Sequence, residues 1–422
     1  MDLEVGVSDP PPRGTRPRDR KAMIVRTAGR LFGLHGYSAV AMRDIAEALN
    51  VRASALYRHV PGKAALLLAA TRAGLDPLLD SARSATALDS LLGELAAVAV
   101  RERNSGLLWV REYRHLDAPK RLIVENSIAE LIDLIAAAIA RESAPSGIEP
   151  HSRARAIVML LASISFHYFE LPDDRMEVFV RDSARRIVDA SVRGTRPPVV
   201  EVAPHDHAGR RAELLTRAVE LFADRGYAEV SVEQIAGAAG IVASSFYNHF
   251  ASKRDVLGAA FAEGEVLLRA EVDRAVIGEP DDVTTLDRLL DGYIGLLLAR
   301  PDLITIVVND AFELDQSDRL NASRIHDELV DRWSRYIETA TGSSAVEARI
   351  RSDAAFLLVY GLMLWPPRPS APDVDVVHTL ASTVLRADNG NTGTSGDGVA
   401  HGDRVNFSGT LRGRPAPPSR ND

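Results

Sequence analysis

What most constrains this chain is that it contains its own alignment. Displaced by 190 residues, the segment 24–70 lies on 214–260 without a gap, and 17 of the 47 paired positions are identical. The identities include Leu31-Phe32 with Leu221-Phe222, Gly36-Tyr37 with Gly226-Tyr227, and Ile45-Ala46 with Ile235-Ala236. They also include Ala53-Ser54 with Ala243-Ser244, and Tyr57, His59 and Lys63 with Tyr247, His249 and Lys253. Solenoid repeats recur every few tens of residues, so a period this long marks a duplicated domain. The first copy is expected over 18–192 and the second over 209–386, joined by a linker at 193–208 that carries three prolines and no helical periodicity. Segments 1–17 and 387–422 are poor in large apolar residues and are expected to be disordered tails.

Composition narrows the class. Hydrophobic residues make up 46% of the chain, charged residues 26% and aromatic residues 5%. That balance supports buried cores, and with few alternating segments it predicts an all-helical protein. There are no cysteines, which excludes disulfides, thiolate zinc sites and cysteine nucleophiles. No apolar stretch approaches the roughly 20 residues of a membrane span; the longest, 131–140, is broken by Asp133. The first residues lack the apolar core of a secretory signal, so a cytoplasmic protein without membrane contact is expected. The net charge of −8 hides an asymmetry. Between Pro10 and Ala70, 11 Arg and Lys face three acids, whereas between His205 and Ala260 six face seven. A basic patch on an acidic chain points to a polyanion partner for the first copy.

Each copy opens with a helix whose apolar residues fall at helical spacing: Ile24, Ala28, Leu31 and Phe32, then Leu214, Ala218, Leu221 and Phe222. Gly36 and Gly226 stand where it must stop. A short second helix follows, with Ser231 able to cap its start in the second copy and Ala41 unable to do so in the first. Asn50 and Gly240, the residue types that best tolerate positive φ, end it. A third short helix is expected over 52–59 and 242–249. Two short helices joined by a tight turn form a helix-turn-helix, whose second helix enters the DNA major groove.

The strings after the turn, NVRASALYRHVPGKAALL and GIVASSFYNHFASKRDVL, resemble the DNA-binding signature of the TetR family of bacterial transcriptional regulators. The resemblance covers the whole 47-residue unit in both copies. It implies two tandem copies, each a three-helix DNA-binding head (18–70 and 209–260) followed by a helical ligand-binding and dimerisation domain (71–192 and 261–386). It also implies phosphate contacts by Tyr57, His59 and Lys63 and by Tyr247, His249 and Lys253. Base-facing candidates are Arg52, Ser54, Ala55 and Arg58 in the first head, and Val242, Ser244, Ser245 and Asn248 in the second, while Leu56 and Phe246 turn to the core. Arginine suits guanine and asparagine suits adenine. Unlike heads cannot read identical half-sites, so an operator spanned by one chain should be asymmetric. The first copy departs from the family pattern at Val60 and Asn50; the second keeps the pattern but is not basic. The arginine-rich segment 13–21 is either a solubilising tail or a further contact to phosphates or the minor groove.

The remainder of each copy reads as amphipathic helices punctuated by residues such as Pro77, Pro119, Pro301 and Gly342. The last two helices of each copy are expected at 152–170 with 175–192, and at 346–365 with 374–385. Through them the copies would pair within the chain, or two chains would pair as a homodimer. Residues considered for a small-molecule effector site are Trp109, Tyr113, His115, Phe166 and Tyr168, and Phe312, Trp333, Tyr336, Phe356 and Tyr360. No catalytic constellation, cofactor motif or metal site is expected, the His205-Asp206-His207 cluster being read as a solvated linker. The favoured function is a ligand-responsive transcriptional repressor, not an enzyme. Its alternatives are a chain in which only the first head binds DNA, as a homodimer on a palindrome, and a helical enzyme with relic heads.

Overall fold

The computed structural model describes residues 20–142, 147–166, 171–192, 209–278, 281–366 and 373–386. Both tails, the linker with its His205-Asp206-His207 cluster, Tyr168 and most of the segment 13–21 lie outside these residues. Among the described residues the regular structure is helical, without strands, and no helix is long and apolar enough to cross a membrane.

The helices fall into two matching series. The first comprises α1 (Arg20–His35), α2 (Met42–Ala48), α3 (Ala53–Leu56), α4 (Lys63–Ser84), α5 (Leu88–Arg101), α6 (Gly106–Val110), α7 (Ala118–Glu142), α8 (Pro150–Ser163) and α9 (Asp173–Asp189). The second comprises α10 (Arg210–Arg225), α11 (Val232–Ala238), α12 (Ala243–Phe246), α13 (Lys253–Ala275), α14 (Asp282–Ala299), α15 (Pro301–Asn309), α16 (Gln316–Thr341), α17 (Ala345–Met363) and α18 (Val374–Leu385). In each series the first three helices form a small head, and the fourth runs from the head into the helical domain behind it. Each head is therefore continuous, through one long helix, with the helical domain behind it.

Local chemistry sets the ends of these elements. Gly36 (φ +78°) and Gly226 (φ +83°) terminate α1 and α10, each N–H bonded to the carbonyl four residues back. Ser231 and Gln234 cap α11 reciprocally, whereas at α2 only Asp44 reaches back, accepting from the Ala41 N–H at 2.9 Å. Pro77 does not break α4 but lies within it. The carbonyl it leaves unbonded belongs to Ala73, on the exposed face, where water can serve it. Pro301 opens α15, and Gly342 caps α16 in the left-handed region. Helix α8 ends at Ser163, earlier than its periodicity predicts, because a short 3-10 turn over Ile164–Phe166 lets Ser165 Oγ accept the buried Gly106 N–H at 2.7 Å.

The last two helices of each copy meet, α8 packing on α17 and α9 on α18. Gly361 makes the closest approach possible, since a β-carbon there would collide with Met159 Cγ. Arg155 donates to the carbonyls of Gly361 and Trp365, Arg175 pairs with Glu347 at 2.6 Å, and Trp365 Nε1 donates to Val110 O at 3.2 Å. Within each copy a buried arginine ties the two helices together: Arg153 donates to Val188 O and Ala190 O, and Arg351 donates to Val384 O.

Candidate nucleic-acid interface and ligand cavity

The turn between the second and third helices is built alike in both heads. Asn50 (φ +52°) and Gly240 (φ +69°) occupy the left-handed region. The next residue then bonds back into the preceding helix, Val51 to Ala46 O and Ile241 to Ala236 O, each at 2.9 Å. Asn50 is the one non-glycine residue with positive φ among those described, and asparagine bears that conformation at lower cost than other side chains. The third helix is a single turn in each head, shorter than expected. Leu56 and Phe246 are fully buried beneath it. Their burial fixes which face is offered outward: Arg52, Ser54, Tyr57, Arg58 and His59 in the first head are exposed, as are Val242, Ser244, Tyr247 and Asn248 in the second. Ala55, Ser245 and His249 are half-buried. Tyr57 and Tyr247 are more than half exposed.

The two lysines sit differently from the rest of the set. Lys63 Nζ stands 4.1 Å from the centre of the Tyr37 ring and Lys253 Nζ 4.1 Å from that of Tyr227, a cation–π arrangement. Lys253 also donates to Tyr227 O and Val230 O, each at 2.7 Å, and Lys63 to Ser38 O at 3.4 Å. Burial pulls both ammonium groups below the ordinary lysine range. Each lysine thus first locks the loop after α1 or α10 onto the following long helix. An ammonium has three donors, so Lys253 keeps one beyond its two carbonyl bonds.

The charge asymmetry of the sequence becomes sharper in three dimensions. Arg26, Arg30, Arg52 and Arg58 of the first head are exposed and form no ion pair among the described residues. In the second head Arg210 pairs with Glu213, Arg217 with Glu220 and Arg225 with Asp224. Arg211 lies over the Phe250 ring, 4.4 Å from its centre.

Each head is latched to the helical domain behind it by a buried carboxylate. Tyr37 N–H donates to Glu112 Oε2 at 2.7 Å, and Asp310 accepts from the Tyr227 backbone. Burial alone would raise the Glu112 carboxyl, but Arg111, His115 and the Tyr37 N–H outweigh it and hold the group low. Asp310 is raised by burial and is bound across the copies by Arg114 at 2.6 Å. His115 stacks on Tyr37, with centroids 5.3 Å apart. Burial, reinforced by Arg114, lowers His115 to about 4.

The candidate effector residues separate into two groups. Trp109, Tyr113 and Trp333 are buried in the core, and Tyr336 packs against it. His115 lines a polar cleft of about 440 Å³ between the first head and the second copy, together with Arg114, Arg254 and Arg319. Phe312, Phe356, Tyr360 and, from the other copy, Phe166 line an apolar cavity of about 250 Å³ in the second copy, with α13, α15, α16 and α17 as its walls. Sequence reasoning missed Leu107 and Arg111, which reach this cavity from the first copy. No local pattern marks them, because packing between distant segments places them there. Among the described residues no cluster of His, Asp or Glu could hold a metal ion.

The family model described as bacterial regulatory proteins, tetR family, matches residues 24–70 and 214–260. The HTH-type transcriptional activator FasR of Mycolicibacterium smegmatis is 30% identical over 167 residues, 36% of this chain and 73% of that protein. The chain belongs to the tetR family. A further relative is the HTH-type transcriptional repressor KstR2 of Rhodococcus jostii, 28% identical over 170 residues, 38% of this chain and 79% of that one. Among solved structures, the ketosteroid transcriptional regulator KstR2 of Mycobacterium tuberculosis aligns with a TM-score of 0.37 at 23% identity, covering 44% of this chain and 97% of its own. Each relative is about the length of one copy, so this tetR-family chain is a tandem of two such units. It is a helix-turn-helix transcriptional regulator.

Proposed function

We propose that this chain is a ligand-responsive repressor in which two unlike heads read an asymmetric operator, the first head supplying most of the affinity. The observation that carries this reading is the contrast in free charge. The first head offers exposed arginines without ion pairs around Arg52 and Arg58, while the second pairs Arg210, Arg217 and Arg225 with carboxylates of its own. Phosphate neutralisation dominates protein–DNA affinity, so the first head anchors and the second refines. Both keep an outward reading face, and these differ: Arg52, Ser54, Ala55 and Arg58 against Val242, Ser244, Ser245 and Asn248. Tyr57, His59 and Lys63, with Tyr247, His249 and Lys253, are assigned to phosphates. Pairing of α8 and α9 with α17 and α18 supports one chain acting as its own dimer, and the apolar cavity supports an effector site. Repression follows the KstR2 relatives, which are repressors by name.

Selection of bound fragments from a random DNA pool by the full chain tests this. An asymmetric consensus is the expected result, with the first head's half the stronger. The self-paired arginines of the second head favour one rival, in which the first head alone binds and two chains meet on a palindrome. Recovery of a palindrome would replace the proposal with that rival, and no enrichment at all would remove both.

A further inference from the structure

We infer that the cavity of the second copy is an effector site shared by both copies, and that its occupant controls the first head, across the copy boundary. This rests on the proposed ligand response and says which head that response reaches. Most of the wall belongs to the second copy, but Leu107, Arg111 and Phe166 come from the first. Three wall residues press on one short stretch of α1 and the loop after it. Leu107 Cδ1 stands 3.7 Å from where a β-carbon on Gly33 would lie. Arg111 Nη2 donates to Gly33 O at 3.4 Å. Phe312 covers Gly36 so closely that a β-carbon there would stand 3.1 Å from its own. Arg111 and Phe312 are in turn stacked, with the guanidinium 4.3 Å from the ring centre. An occupant that displaces either one displaces both, and with them the end of α1.

The second head meets the cavity within its own copy, α10 packing on α15, whose Ile304, Val307 and Val308 line it. The nearest side chain to a β-carbon on Gly226 would be that of Arg114, at 3.7 Å, and the latch there is Asp310. Neither residue lines the cavity. Helix α13 does line it, through Gly258, Phe261 and Gly264 among others, and runs back to the second head. Helices α13 and α15 are the routes within one copy. The route through Leu107, Arg111 and Phe312 leads to the other head, the one whose Arg26, Arg30, Arg52 and Arg58 form no ion pair among the described residues. The aromatic wall, with Phe166, Phe261, Tyr293 and Phe356, fits a largely apolar molecule.

The test uses the full chain and Nile red, a neutral apolar dye, as probe. Amide hydrogen exchange is followed at 33–40 in the first head and at 223–230 in the second. Dye binding is expected to change exchange at 33–40 by about fivefold or more, the scale of an ordinary allosteric coupling. Phe312→Ala, at dye concentrations that saturate the variant, should lose the change at 33–40. A response confined to 223–230 would overturn the crossed route while leaving an effector cavity in place. Failure of the dye to bind would count against the effector reading itself. An Ala322→Trp variant, which fills the cavity without any ligand, then decides the crossed route alone. If its exchange at 33–40 matches the parent chain, the inference is wrong.

Discussion

At the residue scale, the junction between the first head and the helical domain behind it is held by groups that the low-dielectric interior makes sensitive to protonation. His115 sits on the Tyr37 ring beside Glu112 and Arg114. Its folded pKa of about 4 lies below the ordinary value of 6.5, so the unfolded chain takes up a proton that the folded chain refuses. The sign follows from linkage: this stabilisation is complete above pH 6.5 and is lost as the pH falls toward 4. At one pKa unit per 1.36 kcal/mol the loss is roughly 3 kcal/mol. Urea unfolding followed between pH 7 and pH 4 should show this slope in the parent chain. A His115→Phe variant, which keeps the ring stack, should show a shallower one. An identical slope in both would place the titrating group elsewhere.

At the scale of elements, the duplicated lysines brace each head, and the same groups are proposed to meet phosphate. Lys63 braces the loop at Ser38 and the Tyr37 ring, while Tyr57 projects into solvent. Replacing both, Tyr57→Phe with Lys63→Ala, is expected to weaken binding to every sequence alike and to lower the salt slope by about one. A changed sequence preference in a binding-site selection would show that these side chains read bases instead. What was legible in the sequence belongs to this scale. The stops at Gly36 and Gly226, the turn at Asn50 and Gly240, the cap at Ser231 and the inward Leu56 and Phe246 are all decided within a few residues of chain. The third helices came out as single turns. Pro77 was absorbed because the helix around it is fixed on one side by its packing. The cavity was only half legible. Its aromatic candidates were mixed with core residues of the same spacing, and Leu107 and Arg111 carry no signal until the copies are brought together.

Over the whole molecule, contacts that no local pattern foretells join the two copies. Arg155 reaches carbonyls more than 200 positions away, and Arg114 holds a carboxylate almost as distant. Charged groups buried between helices read in sequence as ordinary surface. Here their donors are spent on carbonyls and a carboxylate that the other copy supplies, and removing such a partner leaves a buried charge uncompensated. The seam's tightest point offers a clean probe. Gly361→Leu would force Met159 aside and is expected to destabilise the chain by about 1–3 kcal/mol, as overpacking does. Met159→Ala should restore part of that loss by reopening the space. If Gly361→Leu melts at the parent temperature, the two helices do not meet there in solution.

The fit of Met159 against Gly361 has a consequence for how such a molecule can change. The buried arginines Arg153 and Arg351 set α8 and α17 in common register, and at that register Gly361 corresponds to Ser163. Two first copies laid together would bring Met159 up against a serine where it now meets bare backbone. In a symmetric pair every substitution is felt twice, once on each side of the axis, and must suit both. A seam made of two different surfaces is released from that condition. Each wall can be altered alone and answered by a single change opposite, so the two halves are free to drift into different trades while still fitting one another.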